Sequence, residues 1–473
     1  MKHLSYLKNL HIFLTFICII FTSACQYIPF QKKEIDPVSI TDEVQTRNID
    51  EPNFNDFLDK NKLKINKNAW VFESMFSALL YFNANIYEAR QNWRSSQNKE
   101  IIAKQRPLSS LGVELGKSDG ANGDKSKSIE GLNLLFPLET ANKRLIRYEI
   151  ALNETQLAYE TYRKKIWNER INLINQITRY YFITENIKTT RKKLISKKLI
   201  FDMLTARFDE GLVSKLEMQK IKIELLELEN ELSNLQLEMG ESKKNIASLI
   251  GIELYQLDSI PITLSDFEGK SLNTANEILK NNIIDNWRTS ALLDRIDLRI
   301  ALSEYAIAEA KLKYEIAKQY PDIEFNPAYL FDQGNKIWTF GITTTIPNAI
   351  LSSALVKDAE ISREIKLNNI KNLQLLTINS TENIFIKLSQ QYEKYIDAKK
   401  IKDQKEELLQ YYKEQYQQGI ISRYDLELEN FKLINFEMIY NQNLFNLINT
   451  IKDFENTLQH PLLTEEINYL EDE

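Results

Sequence analysis

Cysteine, histidine and the two backbone breakers are all scarce in this chain, and each scarcity excludes something. The two cysteines, Cys18 and Cys25, both fall in the first 25 residues, so everything downstream lacks disulfides, thiolate metal sites and a cysteine nucleophile. Of the three histidines, His3 and His11 lie in the same leader and His460 lies near the C-terminus, so no histidine base or multi-histidine metal site can be assembled within one mature chain. There is no P-loop and no Gly-rich dinucleotide fingerprint. The expectation is a protein that is not an enzyme and needs neither cofactor nor metal. Lys plus Arg number 60 against 66 Asp plus Glu, a net charge of -6, so the cationic surplus of a general nucleic-acid binder is missing and no nucleic-acid partner is expected. Only 12 glycines and 10 prolines interrupt 473 residues, which implies very long unbroken segments. With 43% apolar and 27% charged residues, the chain has enough for a packed interior.

The N-terminus has the layout of an export signal. Lys2 and Lys8 precede the apolar run Ile12 to Phe21, and small residues lead to Cys25 through Thr22, Ser23 and Ala24. The run is too short to span a bilayer stably, which weighs against an uncleaved anchor. Ser23-Ala24-Cys25 resembles a bacterial lipobox, with Thr22 where that pattern prefers Leu. The resemblance implies that Cys25 is the lipidated first residue of the mature chain. Gln26 after it, rather than Asp, resembles an outer-membrane address. One acyl group binds a membrane only marginally, so several chains are needed for stable anchoring to outer membrane lipid. Removing residues 1–24 takes away Lys2 and Lys8 and moves the charge from -6 to -8.

Further on, the sequence is duplicated. No Gly or Pro occurs from Leu138 to Glu210, nor from Asn348 to Gln418, and each stretch opens after a proline and closes at a glycine. A continuous helix of either length would exceed about 100 Å at roughly 1.5 Å per residue. The closing segments match at an offset of 208, Phe208-Asp-Glu-Gly211-Leu-Val-Ser214 against Tyr416-Gln-Gln-Gly419-Ile-Ile-Ser422. After Gly211, positions 218, 221, 225, 228, 232, 235, 239, 242, 246 and 249 are all apolar except Ser242, a coiled-coil seam. The second copy keeps Leu426, Leu433, Phe436, Tyr440, Leu447 and Phe454 but has Glu429, Asn443, Thr450 and Thr457, a looser seam. Two antiparallel helical hairpins are expected. Taken alone, these would also fit a coiled-coil scaffold.

The other end of each long stretch reads as strands. Ile323, Phe325, Tyr329 and Phe331 alternate with polar or small residues, and after residues 332–336 Trp338, Phe340, Ile342 and Ile346 do the same. A less regular hairpin is suggested by Leu111 to Leu115 and Leu132 to Phe136. Pro327 is a blemish for a central strand. Such strands fit either a small soluble sheet capping a helical bundle or part of a transmembrane barrel. Four strands cannot close a barrel, for which about eight are needed, so a membrane-spanning version requires oligomerisation.

Signal, lipobox and two copies of strand, strand, long helix, Gly turn and helix resemble the TolC/OprM/CusC-like outer membrane factor family over residues 70 to 460, the paired turns being the most specific pieces. Leu135-Phe-Pro-Leu-Glu139 with Lys143-Arg144-Leu-Ile-Arg147, and Asp297-Leu298 with Ala306 to Pro321, resemble its heavy-metal efflux branch. The resemblance implies a mostly α fold with a small β part: long antiparallel helical hairpins forming a periplasmic α-barrel, and four transmembrane β-strands per chain in a trimeric twelve-stranded β-barrel. It implies 1–24 as lipoprotein signal peptide and 25–69 as lipid-anchored extension. Residues 70–262 would form the first repeat (hairpin about 109–137, tip about 207–214), and 263–290 a linker or equatorial segment. Residues 291–460 would form the second repeat (hairpin about 322–347, tip about 415–425), and 461–473 a tail. The function implied is the passive outer membrane channel of a tripartite efflux system, exporting drugs, metal ions or other small molecules. The partners implied are a periplasmic membrane fusion adaptor and an RND- or ABC-type inner-membrane pump, and the alternative is a lipid-anchored periplasmic scaffold without a pore. Gly211, Leu212, Val213 and Ser214, with Gly419, Ile420, Ile421 and Ser422, match the adaptor-docking tips, although each Gly also suits a plain helix C-cap. Asp425 matches an acidic position near the tunnel constriction, where a trimer would set three carboxylates round the axis. A solvated carboxylate at a helix start is the competing reading.

Overall fold

The computed structural model describes residues 29–63, 65–118, 127–263, 267–280, 295–332 and 335–462. The segment expected to be a signal peptide, Cys25, the loop residues 119–126, residues 264–266 and 281–290 of the expected linker, and residues 463–473 lie outside the described residues. The chain divides into residues 1–47 and residues 48–473. In the first unit the helix Pro37–Thr46 is opened by Asp36, whose side chain accepts from the backbone of Val38 and Ser39, with Pro37 in the first turn, where a missing N–H costs nothing.

The second unit is mostly helical with one small antiparallel sheet. Each repeat runs from a short helix to a strand pair, a long helix, a glycine turn and a return helix. The short helices are Ala84–Ala103 and Ile296–Ala317, the long ones Lys143–Asp209 and Ala349–Gln417, the return helices Lys215–Ile250 and Arg423–Leu458. The long helices have 67 and 69 residues, about 100 Å each at 1.5 Å per residue. The first begins at Lys143 rather than near Leu138, because Leu138 ends a strand and Ala141 and Asn142 turn the chain at φ 50 and 58.

The first long helix packs against Ala84–Ala103 and Ile296–Ala317 along one half and against both return helices along the other. The second long helix packs against Ile296–Ala317 and then Arg423–Leu458. Both halves are therefore four-helix layers in which the first long helix is internal. The seam of Lys215–Ile250 follows directly: this helix has one long neighbour, and all ten seam positions are buried or half-buried. Arg423–Leu458 lies between the two long helices, so its contact surface is wider than one stripe, which accounts for its looser heptads.

Midway along the long helices the shorter elements Pro52–Lys60, Phe72–Phe82 and Phe267–Lys280 join a core that includes Phe54, Met75, Phe76, Ile174, Ile250 and Phe454. Across this core Arg170 pairs with Glu455, both buried, with the guanidinium 5.2 Å from the Trp167 ring centre. Asn456 accepts from Trp167 Nε1 at 3.0 Å on the same helix pair. No described helix is long and apolar enough to cross a membrane.

Candidate functional site

The four strands form one sheet in the order β1 (Ser110–Ser118), β2 (Lys127–Leu138), β3 (Ile323–Asp332) and β4 (Asn335–Thr344), so β2 and β3 join the two repeats. The register places Phe136 opposite Phe325, Phe325 opposite Ile342, and Tyr329 opposite Trp338. Strand alternation then puts Val113, Leu132, Phe136, Phe325, Trp338 and Phe340 on one face. Trp338 is 79% and Phe340 66% exposed. Aromatic pairs tile that face, Tyr329 with Trp338 at 4.7 Å and Phe325 with Phe340 at 5.9 Å. The opposite face carries Glu114, Asn133, Glu324, Asn326 and Thr343, with Asn133 Nδ2 donating to Glu114 Oε1 at 3.1 Å. A Cβ at Gly112 would stand 2.0 Å from Asn133 Oδ1, so the Asn133 side chain would have to move to admit one.

Pro327 does sit in a central strand. The β2–β3 ladder pairs Asn133 with Ala328 and Phe136 with Phe325, and skips Asn326 and Pro327 between them. Proline has no N–H to give a ladder, and at Pro327 the sheet keeps the β3–β4 pairing and opens the side toward β2.

Where sheet meets helices, Asp322 gathers both repeats. Its Oδ1 accepts from Lys143 Nζ at 2.7 Å and from the Thr140 backbone at 2.9 Å, and its carbonyl accepts from Thr344 Oγ1 at 2.9 Å. Burial pushes the carboxyl pKa upward, but the Lys143 ammonium and the Thr140 bonds outweigh it and hold it below the usual range. Arg147 pairs with Glu139 and donates to the carbonyls of Ala103 and Gln105. Of the segments that resemble the heavy-metal branch, Glu139, Lys143 and Arg147 thus serve this junction, whereas Asp297 pairs with Arg295 at the other end of its helix.

At the far end the two tips are alike. Gly211 and Gly419 have φ of 75 and 73, with nothing within 4 Å of where a Cβ would stand. Leu212 N donates to Arg207 O and Gly211 N to Phe208 O, both at 2.9 Å, and the Ile420 to Gln415 and Gly419 to Tyr416 bonds repeat this Schellman pattern. Val213 and Ile421 follow, half-buried, while Leu212 is 72% and Ile420 66% exposed. Ser214 and Ser422 cap the return helices, accepting from Glu217 N and Asp425 N. Asp425 closes a capping box, its Oδ2 accepting from Ser422 Oγ at 2.6 Å and Ser422 N at 3.2 Å. Those bonds, with the Arg207 charge, lower its pKa. Arg207 lies 4.8 Å over the Tyr424 ring, bringing the two tips together.

Sequence reasoning did not single out the short helices or the contacts that seat them. Asn83 donates to Leu249 O, and Arg295 to Thr457 O, at 2.7 Å in each case. The two carbonyls are 208 residues apart, the offset of the tips. That spacing was available as a signal, but the donors differ in kind and carry no shared motif.

Residues 77–252 match the family model for outer membrane efflux proteins. No curated relative matches the sequence. Among solved structures, the outer membrane protein VceC of Vibrio cholerae is 15% identical, with a TM-score of 0.64 over 83% of this chain and 96% of that one. The CmeC outer membrane channel of Campylobacter jejuni is 15% identical, TM-score 0.64, over 94% and 96%. The open-state MtrE outer membrane channel of Neisseria gonorrhoeae is 13% identical, TM-score 0.63, over 93% and 99%. At these identities the likeness is one of fold, and it runs through both repeats. The chain therefore has the fold of these outer membrane channels, and residues 77–252 match the family model for outer membrane efflux proteins.

Proposed function

We propose that the chain is one third of a passive outer membrane channel of a tripartite efflux system. The observation that carries this reading is the sheet: one face is apolar, aromatic and without cover among the described residues, and both β1 and β4 lack a second partner strand. Soluble proteins cover such faces and blunt such edges. Strands of 9 to 12 residues suit a tilted span of a bilayer. Three copies supply twelve strands, pairing β4 of one copy with β1 of the next, and the lipid takes the apolar face. The helical layers carry the same implication. Their flanks expose Leu226 and Leu237 on one side and Ile361 and Leu375 on the other, which neighbouring copies cover as the layers close into a tunnel.

In this reading Cys25 bears the lipid, outer membrane lipid surrounds the barrel and the tunnel extends into the periplasm. The tips, with Gly211, Leu212, Val213 and Ser214 beside Gly419, Ile420, Ile421 and Ser422, receive a membrane fusion adaptor. An RND- or ABC-type inner-membrane pump supplies the energy, since the duct performs no chemical step. Three Asp425 carboxylates would ring the axis, although the capping box already engages each one on its own helix. The cargo is a small molecule, drug or metal ion. Glu139, Lys143 and Arg147, among the residues resembling the heavy-metal branch, hold the sheet junction, a task independent of cargo. A scaffold without a pore leaves the apolar face unexplained.

The test is recording from purified protein in planar bilayers together with membrane fractionation. Stepwise conductance from a trimer in the outer-membrane fraction is expected. A protein that extracts without detergent and never conducts would reject the channel.

A further inference from the structure

One side of the helical layer near the sheet is covered and the other is open. On the covered side Phe57 packs 5.2 Å from Tyr81, and Arg90 lies 5.7 Å from the Phe57 ring and 5.8 Å from that of Tyr162 on the first long helix. At 3.6 residues per turn, Lys143, Glu154, Ala158, Thr161 and Lys165 share a stripe of that helix about a quarter of a turn round from Tyr162 and over a third of a turn from Tyr159. Lys143 heads the stripe and bonds Asp322, which continues the alternation of Glu324 and Asn326 on the polar face of the sheet. The stripe therefore leads from the helical layer to the polar face of the sheet.

On that side a groove runs along the first long helix over Leu157 and Ala158. Asn92, Ser95 and Lys99 flank it from one short helix, Lys311 from the other, and Lys366 from the second long helix. Its carboxylates are Glu154 and Glu304. Lys366 is taken by Glu304 at 2.8 Å, but Lys311 meets Glu154 only at 3.7 Å, beyond hydrogen-bond length. Lys99 makes no ion pair among the described residues. Three ammoniums thus face two carboxylates, with an amide and a hydroxyl beside them, and the two least engaged cations, Lys99 and Lys311, come from different repeats.

We propose that this groove binds anionic solutes, phosphate- or carboxylate-bearing, and that three copies of it form a basic belt on the duct wall just inside the barrel. Its role as a belt rests on the channel reading, whereas binding in the groove stands on the single chain. The groove's one surplus positive charge, with Lys99 unpaired among the described residues and Lys311 held at 3.7 Å, offers an anion charge-assisted bonds, while Asn92 and Ser95 supply neutral donors. A bare metal cation finds no such welcome there.

The experiment uses the purified full-length protein and pyrophosphate at low ionic strength, where screening is weak. In planar bilayers pyrophosphate should reduce conductance in a saturable way, and Lys99→Gln with Lys311→Gln should raise the half-blocking concentration by about tenfold. Lys313→Gln, which removes a lysine bound to Glu149 outside the groove, should leave the block unchanged. Conductance indifferent to pyrophosphate, or blocked equally in parent and double variant, would overturn the proposal while leaving the channel intact. If the protein does not conduct at all, the channel reading fails, and phosphorus NMR line broadening of pyrophosphate by the protein decides the groove. Broadening lost in the double variant supports it, and no broadening by the parent overturns it.

Discussion

The side-chain amide of Asn83 donates to the carbonyl of Leu249, 2.7 Å away and 166 residues along the chain. It thereby joins the start of a short helix to the end of a return helix. Asn83 Oδ1 also accepts from Ile86 N at 3.1 Å, so one side chain caps two helices. Beside it Gly251 holds φ 95, and a Cβ there would lie 2.6 Å from Phe82 O. The end-to-end abutment makes each short and return helix run on as one unit beside the first long helix.

Asn83→Ala removes both caps and should destabilise the protein by about 1–3 kcal/mol. Gly251→Ala should be worse, because it combines a left-handed backbone with a backbone clash. Thermal melting of the purified protein in detergent orders the two, and Gly251→Ala melting at or above Asn83→Ala would contradict the abutment.

The Asp322–Lys143 pair is asymmetric in exposure, with the lysine side chain 6% exposed and the aspartate 45%. Asp322→Ala strands a buried ammonium and should cost about 1–3 kcal/mol, more than Lys143→Met, which removes the charge and keeps the packing. Because the folded carboxyl titrates below its unfolded value, this stability is present above about pH 4 and is lost as pH falls through the lowered folded value. Chemical denaturation midpoints across pH 3 to 7 check both the order and the direction, and a parent midpoint that rises on acidification would refute the linkage.

At the tips, Gly211→Asn and Gly419→Asn keep the left-handed turn, which Asn tolerates, whereas Glu adds charge, bulk and backbone strain. If the glycines serve docking as well as capping, even the Asn pair should lower adaptor crosslinking severalfold with the trimer intact. Full crosslinking by the Asn pair and by the Glu pair alike would mean the glycines do nothing beyond the turn.

Asp425→Asn removes the capping-box carboxylate next to Arg423, and should loosen the start of the return helix. Trypsin cleavage after Arg423 ought to quicken at neutral pH, and hydrogen exchange in the parent ought to rise similarly once acid protonates Asp425 below the usual carboxylate range. Equal nicking rates would leave the box without a structural role.

Arg at Phe340 places a cation on the apolar face and should cost about 2–4 kcal/mol near a bilayer centre, whereas Arg at Thr343, on the alternate face, should be tolerated. Trimer yield in outer-membrane fractions discriminates, and equal yields would count against lipid contact.

Much of this architecture was legible because it is local. Glycine after a long unbroken run fixes a left-handed helix end, Ser three residues later caps the next helix, and an alternating run such as Trp338-Thr339-Phe340-Gly341-Ile342 declares two faces, whatever the rest of the chain does. The 208-residue offset follows by comparing such local signals. β3 starts two residues after Pro321 and β4 ends three residues before Pro347.

The rest depends on residues that meet only in space. Nothing near Pro327 says which neighbouring strand will forgo a hydrogen bond; that was settled by β2 arriving from the other repeat. The pairing of Arg170 with Glu455, 285 residues apart, and the sharing of the first long helix between both return helices leave no periodic mark, because a contact between distant segments is chosen by complementary shape and charge after each helix has formed. The sequence by itself determined helices, turns, faces and their repetition, and tertiary packing decided which faces are covered and which, like the aromatic sheet and the lysine groove, are left open for something else.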